Sequence, residues 1–432
     1  MLPSSEVVKE CIENFALRRT LSGLARRCYN TRMGFSQRPE EELVVRSARP
    51  VLLAANVERV SELCVGQDRA IDWPLLFDLA GRHSTIPQMC KHIRAIGTDR
   101  IPPTARDILI ERSEGSRVRS LHQVTELIGI VQTLESHGIE ALAFKGQALA
   151  AQAYGGTARI ANDHDFLVRR SDVVRIIELF RSKGYRVVEP LSLSGLESLF
   201  ENGSEAILKS DSENVQVEFH WHLDARRYRI RIATEDLFRR SVTVRIAGRL
   251  VRTFSPEDML IFLCWHGAKH YWRPIRLIAD VSAFVDSQQA LDWDAVFARC
   301  ATSRLSPSVA IAFALCRNVM RAELPEEALK RIPVTKQAER AAARIASETF
   351  SEHCWIDREW DFVKFLSLAR TQAELRSGWS AKSEVVASLA LTPTPLDVSL
   401  APGGVMRLHA SRSRRLIEKY LLRRWDSARQ PT

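Results

Sequence analysis

Two short stretches, Phe144-Lys145-Gly146-Gln147 and Asp163-His164-Asp165-Phe166-Leu167-Val168, decide the fold. The first ends the apolar run 139–144, which begins directly after Gly138, at a position where a helix favours its C-terminal glycine. A short apolar run of this kind predicts a strand, and the second stretch predicts another. Between them, residues 147–154 have the composition of a helix. The sequence therefore predicts two strands joined by a turn and a helix.

Acidic residues in this region occur at positions that would place them together. Asp163 and Asp165 are two residues apart, so both carboxylates project from the same face at a strand edge. Glu218 lies in the run 215–221, whose period-two alternation predicts a half-buried strand. Carboxylates on neighbouring strands supply the oxygen ligands that Mg²⁺ takes, and they repel one another unless a cation is present. We expect a metal site here, although turn residues and an outward-facing strand acid are the ordinary alternatives.

Helical patterns surround this α/β unit, which covers residues 138–223. Before it, apolar residues recur at helical spacing from 51 to about 134, with a break at Pro102-Pro103. Within it, Ser171 is the expected N-cap of a helix. After it, helices return at Ser255-Pro256-Glu257-Asp258, where an N-cap, a first-turn proline and first-turn acids follow one another.

These patterns predict an α+β protein in which a small mixed β-sheet is flanked by helical N- and C-terminal subdomains. The Asp72-Trp73 and Asp292-Trp293 pairs each predict an Asp-capped helix start with a buried tryptophan. The predicted division of the chain is a helical basic arm over 1–48, a helical subdomain over 49–136, the α/β core over 137–254, a helical C-terminal subdomain over 255–400 and a basic amphipathic tail over 401–432.

The ordered set of motifs resembles a known family. A strand, a glycine-containing turn, a helix, an Asp-x-Asp strand and a single acid on a later strand are similar to the polymerase-beta-like nucleotidyltransferase superfamily. Within it, the chain looks like the bacterial uncharacterised nucleotidyltransferase family, over about residues 51–325. The motifs that carry the resemblance are Phe144-Lys145-Gly146-Gln147-Ala148-Leu149-Ala150, Tyr154-Gly155, Arg159, Asp163-x-Asp165, Val217-Glu218-Phe219-His220-Trp221, and His266-Gly267-Ala268-Lys269-His270 followed by Asp280.

The resemblance implies that an NMP is moved from an NTP to an acceptor, with release of pyrophosphate. Two Mg²⁺ ions, or Mn²⁺ in their place, would be held by Asp163 and Asp165, and one ion together with Glu218 would lower the pKa of the acceptor hydroxyl. These three acids are thus the expected catalytic and metal-ligating residues. The acceptor would be a small molecule, a peptide or a protein.

The turn after the first strand departs from the Gly-Ser that is usual in the superfamily at large. Lys145-Gly146 stands there instead, as is usual for the family resembled, at a helix N-terminus where free N–H groups favour a phosphate. Both residues are expected to bind the nucleotide, although Lys145 has acceptor contact or a solvated turn as alternatives. Arg159 is expected to contact a phosphate, with a structural ion pair as its alternative.

Three histidines near these motifs have more than one interpretation. His220 is either a general base or, as we favour, a structural hydrogen-bonding residue. His266 and His270 are i, i+4 on a helix, but the H-E-x-x-H zinc motif is absent because Gly267 stands where its glutamate would be. We expect them to join Asp280 in a polar network that fixes the C-terminal helices against the core.

The charge of the chain is concentrated at its ends. The 432 residues include 62 Lys and Arg against 52 Asp and Glu, a formal net charge of +10. Residues 1–50 carry +3 and residues 401–432 carry +6, so the stretch between them is nearly neutral. The tail has the pattern of a basic amphipathic helix, for which docking on the body is favoured over an anionic partner. Nucleic-acid binding is therefore compatible with the ends but is not favoured for the body.

Other features of the composition limit the class of protein. The eight cysteines include no C-x-x-C pair, so neither a zinc knuckle nor a dense disulfide framework is predicted. No basic-then-apolar leader and no apolar run long enough for a membrane span stands out, and we expect a cytoplasmic protein. Two alternatives to the enzyme are a noncatalytic nucleotide-binding or interaction protein on the same fold, and an RNA-modifying nucleotidyltransferase that uses the basic ends.

Overall fold

The computed structural model describes residues 38–65, 70–156, 159, 161, 163–188, 200, 203–211, 215–223, 230–350, 369–374 and 379–391. Most of the predicted basic arm and the whole predicted tail lie outside these residues. The boundaries of the five predicted domains stay a prediction.

A five-stranded mixed sheet forms the centre of the α/β core. Its strands, in the order in which they lie side by side, are β1 (Ala141–Phe144), β2 (His164–Val168), β5 (Gln216–His220), β4 (Glu205–Ser210) and β3 (Tyr185–Val187). β2 and β5 run parallel, and the other neighbouring pairs are antiparallel. The predicted fold class, α+β with a small mixed sheet, is confirmed.

A separate two-stranded hairpin follows this sheet in the chain. Its strands are β6 (Val242–Ile246) and β7 (Arg249–Thr253), and both turn residues, Ala247 and Gly248, have positive φ angles of 46° and 86°. Positive φ at both turn residues matches the twist of the flanking strands. No element was predicted here, although Val242, Val244 and Ile246 alternate with polar residues, and most of the first strand is exposed.

Helices lie on both sides of the α/β core in the chain. Those before it are α1 (Pro39–Arg46), α2 (Ala54–Val65), α3 (Trp73–Arg82), α4 (Ile86–Ile96) and α5 (Pro103–Ser136). Those within it are α6 (Gly146–Ala153), α7 (Val173–Arg181) and α8 (Thr234–Arg240). Those after it are α9 (Pro256–Lys269), α10 (Arg276–Ser287), α11 (Trp293–Ser303), α12 (Ser306–Asn318), α13 (Glu326–Arg331), α14 (Lys336–Glu348) and α15 (Trp379–Leu391). None of the helices in these described parts combines the length and apolar character that crossing a bilayer requires.

Side-chain caps begin three of these helices as the sequence predicts. The cap accepts a hydrogen bond from the backbone N–H three residues further on, at 3.3 Å for Ser255, 3.0 Å for Asp72 and 2.9 Å for Asp292. Trp73 and Trp293, which follow the two aspartates, are each only 8% exposed. The predicted pairing of an aspartate cap with a buried tryptophan is confirmed at both places.

The predicted N-cap at Ser171 is wrong. Residues 170–172 form a short 3-10 turn, and α7 begins only at Val173. Ser171 therefore lies inside the turn, and Asp172 occupies the position before the helix without a side-chain cap.

Two hydrophobic cores cover the two faces of the sheet. One face packs on α5 and α7 through residues such as Leu134, Phe180 and Phe219. The other face belongs to a larger core that includes Leu167 of β2 and helices from both ends of the described chain. The helices before and after the sheet thus share one core, and this core covers the sheet face that carries the predicted acids.

Candidate active site

The register of two parallel strands brings two of the predicted acids together. β2 and β5 pair so that Asp165 lies directly beside Glu218, and β1 places Phe144 on the other side of Asp165. Residues in register share a sheet face, so both carboxylates point to the side that the larger core covers. The site is therefore a polar group set into the wall of a hydrophobic core.

The carboxylates are joined by a histidine from the end of β5. Ligand atoms of Asp165, Glu218 and His220 lie within 4.8 Å of one another, which makes them the group in the described chain suited to a metal ion. Asp165 is 3% exposed, whereas Glu218 is half-buried. Glu218 is therefore the more accessible of the two carboxylates.

Asp163 stands at the edge of this group, directly before β2. Burial raises the pKa of Asp163, and the charges of Asp165 and Glu218 raise it further, so that it is about 6 despite the nearby Lys145. A carboxylate under such repulsion is stabilised by a cation placed between it and its neighbours. The structure thus brings all three predicted acids to one place, with Asp163 outside the tightest group.

Lys145 is the cation that these acids share. Its Nζ lies 2.5 Å from Asp165 Oδ1. Burial would raise the pKa of the Asp165 carboxyl, but Lys145 and His220 outweigh that effect and hold it at about 2. Lys145 also occupies the residue before α6, as predicted, where Gly146 begins the helix with a φ of 38°. The predicted turn therefore aims its lysine into the acid cluster.

His220 is held by acids on both sides. Its Nε2 lies 3.1 Å from Asp165 Oδ1 and 3.4 Å from Glu218 Oε2, and its Nδ1 lies 2.9 Å from Glu205 Oε2. Burial would lower the pKa of His220, but Glu205 and the other two carboxylates raise it well above its usual value. A protonated His220 donates through both nitrogens, which fits the structural role favoured from the sequence more closely than that of a general base.

The residues fit a hard divalent cation. Asp165 Oδ2 is buried and accepts no hydrogen bond from any described residue, so one lone-pair site of the most buried acid remains open toward a ligand. Glu218 Oε1 is oriented by Gln216 Nε2 at 3.0 Å, which leaves Oε2 directed toward Asp165 and His220. Carboxylate oxygens are the donors that Mg²⁺ and Mn²⁺ prefer. Asp163, Asp165 and Glu218 are the side chains that would hold such an ion.

Arg159 forms the ion pair that was the alternative to a phosphate contact. Its Nε and Nη2 donate to the two carboxylate oxygens of Asp280 at 3.0 Å each, and Nη1 donates to Gly146 O at 3.3 Å. Tyr154 donates to Asp280 Oδ1 at 2.7 Å. Burial would raise the pKa of Asp280, but Arg159 outweighs it and the pKa is lowered. The network joins Arg159, which precedes Asp163 in the chain, to α10, so a phosphate contact by Arg159 would require this pair to open.

Two glutamines hold the chain that leads into β2. Gln147 of α6 donates to Gln123 Oε1 at 3.1 Å and to the carbonyl of Arg159 at 3.4 Å. Gln123 of α5 in turn accepts from Ala161 N at 3.2 Å and donates to its carbonyl. These buried amides satisfy backbone groups of Arg159 and Ala161, which lie outside the sheet. They thereby help to position the chain just before Asp163.

Sequence reasoning missed Glu205 and the two glutamines. Glu205 lies in β4, in the stretch 191–214, whose pattern predicted no element. It acquires a role only because β4 pairs with β5 and sets Glu205 beside His220.

The two histidines of α9 and its C-terminal end contact one another. His266 stacks on Phe262 at 5.5 Å and contacts His270 at 4.6 Å between ring centroids. Asp280 accepts hydrogen bonds from Arg159 and Tyr154, so the participation of His266 and His270 in a network with Asp280 stays a prediction.

Two solved structures of the antibiotic-resistance factor ANT(2″)-Ia are similar to part of the chain. The crystal structure of its complex with adenylyl-2″-tobramycin is 19% identical over 42% of this chain and 97% of that chain, with a TM-score of 0.31. Its solution structure is 18% identical over 42% of this chain and 91% of that chain, with a TM-score of 0.29. Scores this low carry no inference about the function of this chain.

A family match covers the site and both of its helical surroundings. A comparison with curated proteins finds no match. Residues 69–321, more than half of the chain, match the family described as uncharacterised nucleotidyltransferase. This range contains both strands of the acid cluster, the Lys145 turn and Asp280, so the resemblance seen in the sequence is confirmed. The chain belongs to the uncharacterised nucleotidyltransferase family.

Proposed function

We propose that this nucleotidyltransferase moves an NMP from an NTP to a hydroxyl of a small-molecule, peptide or protein acceptor, and that it uses Mg²⁺ or Mn²⁺ held by Asp163, Asp165 and Glu218. The observation that carries the proposal is the register of β2 and β5, which sets Asp165 beside Glu218. The unpartnered Oδ2 of Asp165 supports it, because a buried carboxylate oxygen without a donor is stabilised by a cation.

The proposed reaction exchanges one phosphorus–oxygen bond for another. The acceptor oxygen forms a bond to the α-phosphorus, the bond from the α-phosphorus to the bridging oxygen breaks, and pyrophosphate leaves. A divalent ion supplies charge neutralisation for the phosphates and lowers the pKa of the acceptor hydroxyl. Glu218, which is half-buried and more accessible than Asp165, is the group that we assign to receive the hydroxyl proton.

Phosphate binding is assigned to the turn between β1 and α6. The free backbone N–H groups at the start of α6 favour a phosphate, and Lys145 adds a positive charge beside them. Gly146 has φ 38°, a backbone conformation that other residues rarely adopt, whereas a Cβ there would make only an ordinary contact with Ala161 at 3.6 Å. The conformation of the turn, rather than space, therefore favours glycine. We assign Arg159 to positioning this region through Asp280.

A product search tests the proposal directly. Purified full-length chain is incubated with each of the four NTPs, Mg²⁺ or Mn²⁺, and a panel of hydroxyl-bearing small molecules, peptides and proteins. Mass spectrometry then reads whether any acceptor gains the mass of an NMP. We expect a metal-dependent product that EDTA abolishes and that Asp163→Asn reduces strongly.

Two outcomes would contradict the proposed metal-dependent nucleotidyl transfer. Tight NTP binding without turnover on any acceptor would favour the noncatalytic nucleotide-binding alternative. A product that forms equally well in EDTA would show that the acids do not act through a metal ion.

A further inference from the structure

The ammonium group of Lys145 lies among the three acids that we propose as metal ligands. Its Nζ contacts Asp165 Oδ1 at 2.5 Å, and its charge also acts on Asp163 and Glu218. The side chain is 16% exposed, so the ammonium group is largely removed from solvent. A buried lysine among three carboxylates is a fixed cation of the site rather than a surface charge.

The chain keeps this lysine in a conformation that costs free energy. Lys145 has φ 62° and ψ −151°, a region that is essentially limited to glycine and that costs about 1–3 kcal/mol for other residues. Its Nζ lies near two aromatic rings, 5.4 Å from the Phe144 centroid and 5.9 Å from the Phe262 centroid. Both separations lie within the range of cation–π attraction. The backbone and the rings together hold the ammonium group at Asp165.

The charges of the site leave room for one divalent ion. Asp163, Asp165 and Glu218 sum to −3 when ionised, Lys145 reduces this to −2, and Arg276, whose charge also acts on Asp163, reduces the excess further. The fourth acid, Glu205, is paired with His220 at 2.9 Å and does not add to the excess. One divalent ion neutralises a charge of −2, whereas a second would leave the site with excess positive charge before any phosphate binds.

We propose that Lys145 is a built-in cation that takes the place of one of the two metal ions expected from the superfamily, so that the nucleotide-free protein binds a single divalent ion. The meaning of that ion for catalysis rests on the proposed function. The count of bound ions does not, because it is a property of the charges in the nucleotide-free site.

The test is the number of Mn²⁺ ions bound at pH 8 without nucleotide, read from the electron paramagnetic resonance signal of free Mn²⁺ and from the spectrum of bound Mn²⁺. The wild-type chain is expected to bind one Mn²⁺ without spin coupling. Lys145→Met and Lys145→Gln are each expected to bind two, or to bind the first ion at least about 10-fold more tightly. Lys183→Met, which removes an exposed lysine of the same α/β core, should match the wild type.

Several results would overturn this inference. They are a spin-coupled pair of Mn²⁺ ions in the wild type, no bound Mn²⁺ in the wild type, or a Lys145→Gln variant that binds one ion with unchanged affinity. If both variants at position 145 fail to fold, the wild-type count alone decides. Failure of the proposed function is distinguishable, because a chain that binds one Mn²⁺ and never transfers a nucleotide would keep the ion count and lose the reaction.

Discussion

At the residue scale, the acid cluster depends on His220, which contacts acids of both strands that lie beside its own strand, β5. Glu205 of β4 lies in register with His220 of β5, and its carboxylate meets His220 Nδ1 at 2.9 Å. The opposite nitrogen of His220 faces Asp165 at 3.1 Å. Glu205 therefore fixes which way the imidazole turns, and through it the orientation of Asp165.

Glu205→Gln should weaken divalent binding although Glu205 belongs to no predicted ligand set. The substitution removes one negative charge from the surroundings of the site and the carboxylate that orients His220 toward Asp165. Loss of a partner behind a metal ligand typically costs about 10–100-fold in affinity. We expect the Kd for Mn²⁺, measured by calorimetry, to rise by that amount while the thermal unfolding midpoint changes little. Glu235→Gln, at a carboxylate 65% exposed on α8, is the matched control and should leave the Kd unchanged. Equal Kd values for wild type and Glu205→Gln would show that His220 needs no support from β4.

The sequence predicts the acids of the site better than the residues that support them. Asp163, Asp165 and Glu218 follow from spacing and alternation, because a period of two determines the sheet face of each residue. Glu205 could not be predicted in this way, since its role depends on which strand pairs with β5 and in which register. Register is a property of the folded sheet, and a single residue in a single sequence does not indicate which residue it will lie beside.

At the element scale, backbone conformation and side-chain packing both restrict the connection between α9 and α10. Tyr271 and Trp272 both have positive φ angles, 58° and 59°, and Trp272 N donates to Gly267 O at 2.7 Å. The Trp272 ring lies over Gly267, where a Cβ would come within 3.0 Å of three ring carbons. The absence of a side chain at Gly267 therefore makes room for the ring of Trp272, which lies in the connection between α9 and α10.

Gly267→Ala should destabilise the chain although alanine favours helices. The methyl group would force the buried Trp272 ring to move, and overpacking of this kind typically costs about 1–3 kcal/mol. Gly129→Ala is the matched control, because Gly129 is an exposed helical residue of α5 with nothing near its Cβ, and it should stabilise by up to about 1 kcal/mol. Denaturant unfolding measures both. A Gly267→Ala variant as stable as Gly129→Ala would mean that the ring position is not a constraint.

Asp280→Asn should disrupt the link between the turn before Asp163 and α10. The variant leaves the Arg159 guanidinium buried without its counter-ion, and loss of one partner of a buried pair typically costs about 3–5 kcal/mol. Asp294→Asn removes a carboxylate 71% exposed in a surface pair with Arg331 and should cost at most about 1 kcal/mol. Chemical denaturation distinguishes the two. Equal losses would indicate that the Asp280 network contributes no more than a surface pair.

Element prediction succeeded where a pattern repeats along the chain. The predicted strand over 164–168 and the predicted helix start at Ser255 are confirmed, since apolar periodicity and capping chemistry are local. β4 was not predicted because it lies in a stretch without a clear pattern. Its burial alternates only once it pairs with β5 and β3.

At the scale of the whole molecule, helices from both sides of the α/β core pack together, and His83 makes one of the polar contacts between them. His83, at the end of α3, accepts a hydrogen bond from Ile275 N at its Nδ1, 3.3 Å away, just before α10. Its ring also contacts Phe350 at 4.7 Å. The nucleotidyl-transfer sheet is therefore covered by helices that are distant in sequence and that meet at His83.

His83 should make the chain less stable as the pH falls. Burial lowers the pKa of His83 to about 4 from a usual 6.5, with a smaller effect from Arg273, so the unfolded chain binds more protons between these values. The stabilisation is fully present above pH 6.5 and is lost as pH falls toward 4, by up to about 3 kcal/mol. His83→Gln cannot gain this proton. The difference in free energy of unfolding between wild type and His83→Gln should therefore shrink by this amount from pH 7 to pH 4.

The matched comparison for this pH effect is His137→Gln, at an exposed histidine of the α5 end. Its free energy of unfolding, measured over the same pH range, is the reference for the loss of a histidine outside the core. A His83→Gln difference that does not change between pH 7 and pH 4 would show that His83 takes up its proton in the folded state.

The central claim, that the acid cluster transfers nucleotides, is tested most directly by pyrophosphate release from the Asp165→Asn variant with the acceptor that supports turnover. The wild type should release pyrophosphate only with Mg²⁺ or Mn²⁺, and Asp165→Asn should release it at least about 100-fold more slowly at an unchanged unfolding midpoint. Asp211→Asn, at a carboxylate 61% exposed in the same core, should keep the wild-type rate. A folded Asp165→Asn variant that releases pyrophosphate at the wild-type rate would contradict the account.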